Sequence, residues 1–223
     1  MRPPDKPTKS TKPPTRLPKL PAKRLLIGID EVGRGAWAGP VVAAAVILPP
    51  RLRLPAVRDS KLMTPLARTR ANREIRQRAL AIGLGWVSAA ELDAHGLSWA
   101  VRQSGLRALE ALLTSWERRH FAYPGIVILD GLHDYLRDTP YDSLAIIKAD
   151  NLVSCVAAAS VVAKVARDNY LQMLERRHPG YGFAEHKGYG TPDHQAALRV
   201  LGPCAQHRQS FAPLTAFGRR STA

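Results

Sequence analysis

Cysteine is nearly absent: the 223 residues contain two, Cys155 and Cys204. Two thiols exclude a disulfide framework or a cysteine-built four-ligand zinc site, and their scarcity fits a reducing, cytoplasmic compartment. No apolar run approaches the roughly 20 residues that a membrane span requires. The positively charged N-terminus has no apolar segment behind it, so it does not read as a secretory signal. Acids are also scarce, with 18 Asp and Glu against 33 Lys and Arg, for a net charge of +15 and a pI of about 10.5. Such an excess attracts polyanions, nucleic acid first among them; a generally basic surface is the alternative. None of the seven histidines shows metal-ligand spacing such as a pair at i, i+4. His186 and His207 fall in candidate substrate loops, where surface or capping roles serve equally well.

The chain is long enough, at 45% hydrophobic content, to bury one sizeable core. Residues 1–24 stand apart, with seven prolines, five lysines, three arginines and one acid, a net charge of +7 that is nearly half of the chain's +15. Such a segment has little to bury and is expected to stay a disordered, polyproline-leaning tail. It reads as an electrostatic tether to nucleic acid or as a solubilising extension. Residues 25–217 are expected to form the folded domain, and 218–223 a flexible C-terminus.

From Arg24 onward strands and helices alternate. Apolar runs at Leu25–Asp30, Val41–Leu48, Leu84–Val87, Ile126–Asp130 and Ser143–Lys148 read as strands. Thr64-Pro65 is an N-cap followed by proline at the first helical position. Leu66, Ala67, Ala71, Ile75, Ala79 and Leu80 then give that helix one apolar face. Helices are also expected over 89–95, 98–119, 152–176 and 192–201. In the long one, Leu152, Val156, Ala159, Ala163, Ala166, Tyr170 and Met173 recur at helical spacing. The pattern predicts an α/β fold, a mixed sheet flanked by helices with a helical C-terminal region.

Three strand-like runs end in carboxylates: Asp30-Glu31, Asp130 and Asp150. Side chains at strand ends converge on one rim of an α/β sheet, where the crevice lies. Four acids gathered there repel one another unless cations neutralise them. Hard divalent ions with oxygen ligands do so, and Mg²⁺ also accepts substrate phosphate; two such ions can split a phosphodiester. Each acid has a structural alternative. Asp30 and Glu31 can cap a strand or pair with a base, Asp130 can serve the turn at Gly131, and Asp150 can cap the long helix. Asp134, Asp138 and Asp142 read as solvated, and Asp168 as an ion-pair partner. A pure nucleic-acid binder gains nothing from acids facing a polyanion, and a small-molecule metal phosphatase leaves the basic excess unexplained.

With these residues assembled, the chain closely resembles ribonuclease HII, the type 2 ribonuclease H of bacteria. The likeness runs through nearly all of residues 25–217. Its strings are GIDEVGRGAWAGPVVAAAVIL, DSKLMTP, ILDG, KADNLVSCVAAASVVAKVARD, YGFAEHKGYGT and GPCAQHRQSFAPL, in that order. Nothing before Ala22 looks like the folded N-terminal domain of ribonuclease HIII, which favours HII. The resemblance implies a ribonuclease H-like fold and an endonuclease cutting RNA in RNA–DNA hybrids. It also implies incision at ribonucleotides embedded in duplex DNA, leaving 5′-phosphate and 3′-hydroxyl ends with Mg²⁺ or Mn²⁺. By the same match, Asp30, Glu31, Asp130 and Asp150 are the metal-binding acids. Gly33-Arg34-Gly35 reads the ribose 2′-hydroxyl through its backbone, as glycines allow close approach, and Tyr189 packs on the following sugar.

Ser60 and Lys61, in a loop just before a helix N-terminus, form a natural phosphate site. Lys164, Lys187, Arg208 and Ser210 are further phosphate-contact candidates. Ser160 and Lys164 are expected one turn apart on the polar side of the long helix. Trp37 stands where the family more often has leucine, and its bulk close to the glycine loop is expected to alter how the loop packs. The resemblance suggests a monomer and leaves room for a replication or repair protein as partner.

Overall fold

The computed structural model describes residues 15, 24–50, 52, 54, 63–118, 123–215 and 217. The expectations for the tail, for the last six residues and for Ser60 and Lys61 lie outside the described residues.

Five strands form one mixed sheet in the order β3-β2-β1-β4-β5. β1 (Leu25–Val32), β2 (Val41–Ile47) and β3 (Ala81–Val87) are antiparallel neighbours. β4 (Gly125–Asp130) lies parallel to β1, and β5 (Ser143–Ile146) parallel to β4. The helices are α1 (Pro65–Arg78), α2 (Ala89–His95), α3 (Leu97–Glu117), α4 (Ser154–Arg177), α5 (Phe183–His186), α6 (Pro192–Leu201) and α7 (Ala212–Thr215). Thr64 caps α1, accepting from the Ala67 N–H, and Pro65 occupies its first turn as expected.

One core lies between the sheet and α4 with α1, where Ala44, Val46, Ile126 and Ile128 meet Val156, Ala159 and Ala163. On the opposite face Ile27, Ile29, Ala45, Val127 and Leu129 meet Leu109, Leu112 and Trp116 of α3. A third cluster joins the second half of α4 to the C-terminal helices through Leu171, Leu174, Phe183, Leu198 and Leu214. Two-sided coverage explains why β1, β2 and β4 read as continuous apolar runs.

Close packing of helix on strand depends on missing side chains. A Cβ on Gly28 would lie 2.2 Å from the Cys155 carbonyl carbon, so only glycine lets α4 settle onto β1. Two residues on, Asp30 shares that face of the strand and meets Ser160, little more than a turn further along the helix.

The helix faces differ from expectation. In α4 every residue from Cys155 to Ala163 is buried, while Leu152 and Met173 are half exposed. The reason is that this stretch of α4 packs on the sheet and also against α1, so residues 155–163 have no solvent side. In α1, Leu66 is 61% exposed and Arg68 is buried instead, held by Asp168 and the Met63 carbonyl. Asp150 does not end a strand: β5 stops at Ile146, and Asp150 sits in a 3₁₀ turn at Ala149–Asn151. Nor does it cap α4, whose N-cap is Val153.

Candidate active site

The parallel pairing of β1 with β4 reaches Ile29 opposite Leu129, so Asp30 and Asp130 leave the same end of neighbouring strands. Asp30 is 8% exposed, and the side chain of Glu31 is 7% exposed. Burial first, then the charges of Glu31 and Asp130, push the Asp30 carboxyl up to about 8, against hydrogen bonds from Ser160 and the Glu31 N–H. Burial also raises Glu31, with Asp130 adding to it and Arg34 opposing it from 3.1 Å. Asp130 accepts from the Ala149 N–H at 2.7 Å, which ties the turn carrying Asp150 to the end of β4. Asp30, Glu31 and Asp130 thus form one mutually repelling group, with Asp150 attached through the backbone. Among the described residues no three acid, imidazole or thiol groups form a closed ligand set.

Tyr135 closes this group on the α3 side. Its buried hydroxyl has no protein hydrogen-bond partner, and burial with the nearby Glu31 and Asp30 charges holds its phenol well above the ordinary value. The donor chemistry fits a divalent ion: oxygen ligands only, gathered at one rim, where burial and mutual charge oppose the ionisation of Asp30 and Glu31 and a cation would relieve them.

The glycine loop after β1 is held by two arginines that the sequence reading passed over or assigned elsewhere. Arg167, fully buried on α4, donates from Nε to the Pro40 carbonyl (2.9 Å), from Nη2 to Ala38 (3.0 Å) and from Nη1 to Lys187 (2.9 Å). Gly33 has φ of +90° and lies directly on this guanidinium. Arg208, also fully buried, donates twice to the Gly39 carbonyl (3.0 and 2.9 Å) and once to Arg34 (2.9 Å). It is therefore a support beneath the loop, not a phosphate contact as expected. A guanidinium fork suits this work because it satisfies several carbonyls at once and keeps its charge when buried.

The loop also pairs with the KGYGT turn. Trp37 and Ala38 N–H groups donate to the Gly188 carbonyl, and Ala38 bridges His207. The Trp37 ring covers Gly190, where a Cβ would fall 2.2 Å from it. The bulk at position 37 is thus absorbed by a glycine across the interface. Tyr189 is 37% exposed, with Arg167 beneath its ring at 5.7 Å from the centroid. The turn carries strain, as Lys187 holds a left-handed backbone at φ 54°.

The remaining candidates fall as follows. Ser160 is buried and hydrogen-bonded to Asp30, so it does not face solvent. Lys164 pairs with Asp168 at 2.5 Å, on the helix that also presents Arg167. Asp168 bridges Lys164 and Arg68, the structural role expected of it. The Lys187 ammonium rests on the Ala184 carbonyl. Ser210 donates to Asp93 of α2 at 2.6 Å, which anchors the C-terminal segment.

A family model described as ribonuclease HII matches residues 27–214. Ribonuclease HII of Thermus thermophilus is 47% identical over 191 residues, covering 85% of this chain and 87% of that protein. Among solved structures, the ribonuclease H2 of Pyrococcus horikoshii superposes with a TM-score of 0.72 at 22% identity, covering 87% of this chain and 97% of that one. A PCNA:RNase HII complex from Archaeoglobus fulgidus gives 0.68 at 26% identity, covering 82% of this chain and 93% of that one. Bst-RNase HIII in complex with Mn²⁺ gives 0.68 at 22% identity, covering 89% of this chain and 71% of that one.

Proposed function

The chain belongs to the ribonuclease HII family, enzymes that cut the RNA strand of RNA–DNA hybrids, and from that premise we propose that it also incises 5′ of single ribonucleotides embedded in duplex DNA. The observation carrying this reading is the fusion of the acidic rim with a backbone sensor. The loop that begins two residues after Asp30 and Glu31 is locked from below by Arg167 and Arg208 and from the side by the turn bearing Tyr189.

Asp30, Glu31, Asp130 and Asp150 would hold Mg²⁺ or Mn²⁺, the chemistry also suggested by the Mn²⁺ complex of the ribonuclease HIII neighbour. Bound divalent ions would activate the attacking water and stabilise the leaving oxygen, giving 5′-phosphate and 3′-hydroxyl ends. The chain's own part is positional. Ser160 orients the Asp30 carboxylate, and the Ala149 N–H orients that of Asp130. Arg34 covers Glu31 with a charge that substrate phosphate can draw away.

Specificity for ribose is assigned to the backbone of Gly33-Arg34-Gly35. The Arg34 carbonyl already accepts from Arg208 and the Gly33 carbonyl from the Ala36 N–H, so the loop's N–H groups are the donors left for a 2′-hydroxyl oxygen. Gly35 has open space around its Cα, which suits contact with the minor groove. The Tyr189 face would pack on the next, deoxyribose sugar and favour an RNA-to-DNA junction. Lys164 and Lys187 are the phosphate contacts this reading retains, since the Ser210 hydroxyl donates to Asp93 instead. This reading takes the enzyme as a cytoplasmic monomer with a replication or repair protein as partner, in line with the PCNA complex of the Archaeoglobus relative. Among the described residues no helix is long and apolar enough to cross a membrane.

The test is a duplex with one embedded ribonucleotide, incubated with Mg²⁺ and with Mn²⁺. Incision 5′ of the ribonucleotide is expected; cutting confined to long RNA tracts would reject the junction reading.

A further inference from the structure

A buried line of hydrogen bonds runs from Cys204 to the main chain of Tyr189, and nothing above gives it a task. The Cys204 N–H donates to His207 Nδ1 at 2.9 Å, and the Cys204 Sγ lies 3.2 Å from the same nitrogen. His207 Nε2 and His194 Nε2 are 3.0 Å apart. His194 Nδ1 is 3.0 Å from the Tyr189 carbonyl oxygen. The two imidazoles are 1% and 0% exposed.

The partners leave one arrangement of protons. A backbone N–H can only donate, so His207 Nδ1 carries a lone pair and its proton sits on Nε2. The 3.3 Å approach of that Nδ1 to the Cys204 carbonyl is then a contact between two acceptors, not a hydrogen bond. At the other end a carbonyl can only accept, so His194 carries its proton on Nδ1 and a lone pair on Nε2. The two Nε2 atoms therefore meet as donor and acceptor, and every bond points toward Tyr189. A second proton on either ring would set N–H against N–H.

The Tyr189 carbonyl also accepts from the Thr191 N–H at 2.8 Å, so its two lone pairs are both engaged. The Tyr189 N–H donates to the His186 carbonyl at 3.0 Å, and Arg167 lies under the ring. His186 stacks on His194 with centroids 4.3 Å apart, and the Trp37 ring lies tilted against His194 at 5.9 Å. The peptide of Tyr189 is thus held on several sides, and the histidine line is what ties its carbonyl to the C-terminal segment.

We propose that Cys204, His207 and His194 form a positioning device whose one-way hydrogen bonds set the Tyr189 peptide, and so the angle at which its ring meets the sugar beside the cut. The three are positioning residues, since none of them touches the acidic rim. The inference rests on the sugar-packing role given to Tyr189 under Proposed function.

Two replacements of one residue separate positioning from bulk. His194→Asn puts an amide N–H where Nδ1–H stood and keeps the donor to Tyr189. His194→Gln carries its amide out to the Nε2 position and loses that donor. Both lose the ring packing, so both are expected to lose similar thermal stability. The reading is the ratio of kcat/KM on a single-ribonucleotide duplex to that on a long RNA–DNA hybrid. His194→Gln should lower this ratio about five-fold, the effect of one hydrogen bond, while His194→Asn stays close to wild type. Equal ratios in the two variants would overturn the proposal. Imidazole ¹⁵N resonances of the wild type supply a check independent of activity: the Nδ1–H tautomer at His194 and the Nε2–H tautomer at His207 are expected, and the opposite tautomer at either removes the line. Tyr189→Ala separates the two readings. If it leaves the ratio unchanged, the sugar-packing role has failed and the proposal falls with it. If it lowers the ratio while both His194 variants match wild type, the positioning device alone is refuted.

Discussion

Arg167 lies so close across the face of Gly33 that a Cβ there would fall 2.3 Å from its Nε. The same guanidinium is bound to three carbonyls and sits under Tyr189, so it has nowhere to retreat. Gly33→Ala therefore meets both a steric wall and a φ of +90° that an L residue resists. It should destabilise the fold by about 2–3 kcal/mol and greatly weaken single-ribonucleotide incision. Gly35→Ala is the control. Nothing lies within 4 Å of its added Cβ, so its stability should stay within about 0.5 kcal/mol of wild type. Urea unfolding of both variants checks the contrast; equal losses would mean that the loop is not braced by Arg167.

Arg208 poses a different question, because it carries a buried positive charge beside that of Arg167. Its value lies in three directed hydrogen bonds to Gly39 and Arg34, which a lysine cannot reproduce from a single point. Arg208→Lys should cost about 2–4 kcal/mol through carbonyls left unsatisfied in a buried site. If Arg208 met phosphate instead, Lys would conserve the charge and leave both stability and the salt dependence of hybrid binding close to wild type. Denaturation and a salt titration of binding, run on the same variant, decide between the two.

This contrast marks where the sequence stops being legible. Strand ends bearing acids could be read because apolar runs give the strands and a parallel pair brings their ends together: Asp30, Glu31 and Asp130 meet as expected. Asp150 is not at a strand end as the apolar run suggests: the 3₁₀ turn that carries it is fixed by the Ala149 N–H donating to the Asp130 carboxylate, a contact across 19 residues. Arg167 and Arg208 look like surface arginines in sequence because burial of a guanidinium depends on carbonyls supplied by distant loops. The histidines were opaque for the same reason. His194 and His207 are 13 residues apart, on a helix and a following loop, and only the turn through Gly202 sets their rings edge to edge. Helical spacing likewise misjudged Leu152 and Met173, because the outer faces of α4 are decided by which neighbours pack on it.

The acidic rim makes a prediction about metal and stability. In the metal-free protein Asp30, Glu31 and Asp130 repel one another, and a bound cation turns that repulsion into attraction. Mg²⁺ or Mn²⁺ should therefore raise the melting temperature, by a free energy of about 2.7 kcal/mol at a hundred-fold excess over Kd. Asp30→Asn and Asp130→Asn should abolish cleavage, keep or improve hybrid binding, and lose most of the metal-induced shift. Melting curves with and without metal, beside gel-based cleavage and binding, test all three parts. Cleavage near the wild-type rate in both variants would refute the metal assignment.

Acidification should unfold the C-terminal packing before it protonates the surface carboxylates. Burial holds His194 and His207 down at about 4, with His186 and, for His207, also His194 and His178 adding their positive charge to the cost of protonation. Cys204 and Tyr181, the other titratable groups against the His207 ring, are both shifted upward and stay neutral here. A histidine whose folded pKa lies below its unfolded 6.5 binds fewer protons folded than unfolded between the two values. Its stabilising contribution is complete above 6.5 and is lost as pH falls toward 4. Glu91, held at about 2 by Arg107 and the Ser88 N–H, follows the same sign in a lower window, from 4.5 down to 2. Between 6.5 and 4.5 the histidines are opposed by the raised Asp30 and Glu31 carboxyls, which bind protons in the fold and so add stability as pH falls. The histidine pair alone should remove an amount on the order of 3 kcal/mol across that interval. The double variant His194→Asn/His207→Gln should be less stable at pH 7 yet lack that loss on the way to pH 4.5. Unfolding free energies measured from pH 7 to 4.5 give both slopes; a wild-type curve parallel to the variant's would show that the two rings are not buried neutral.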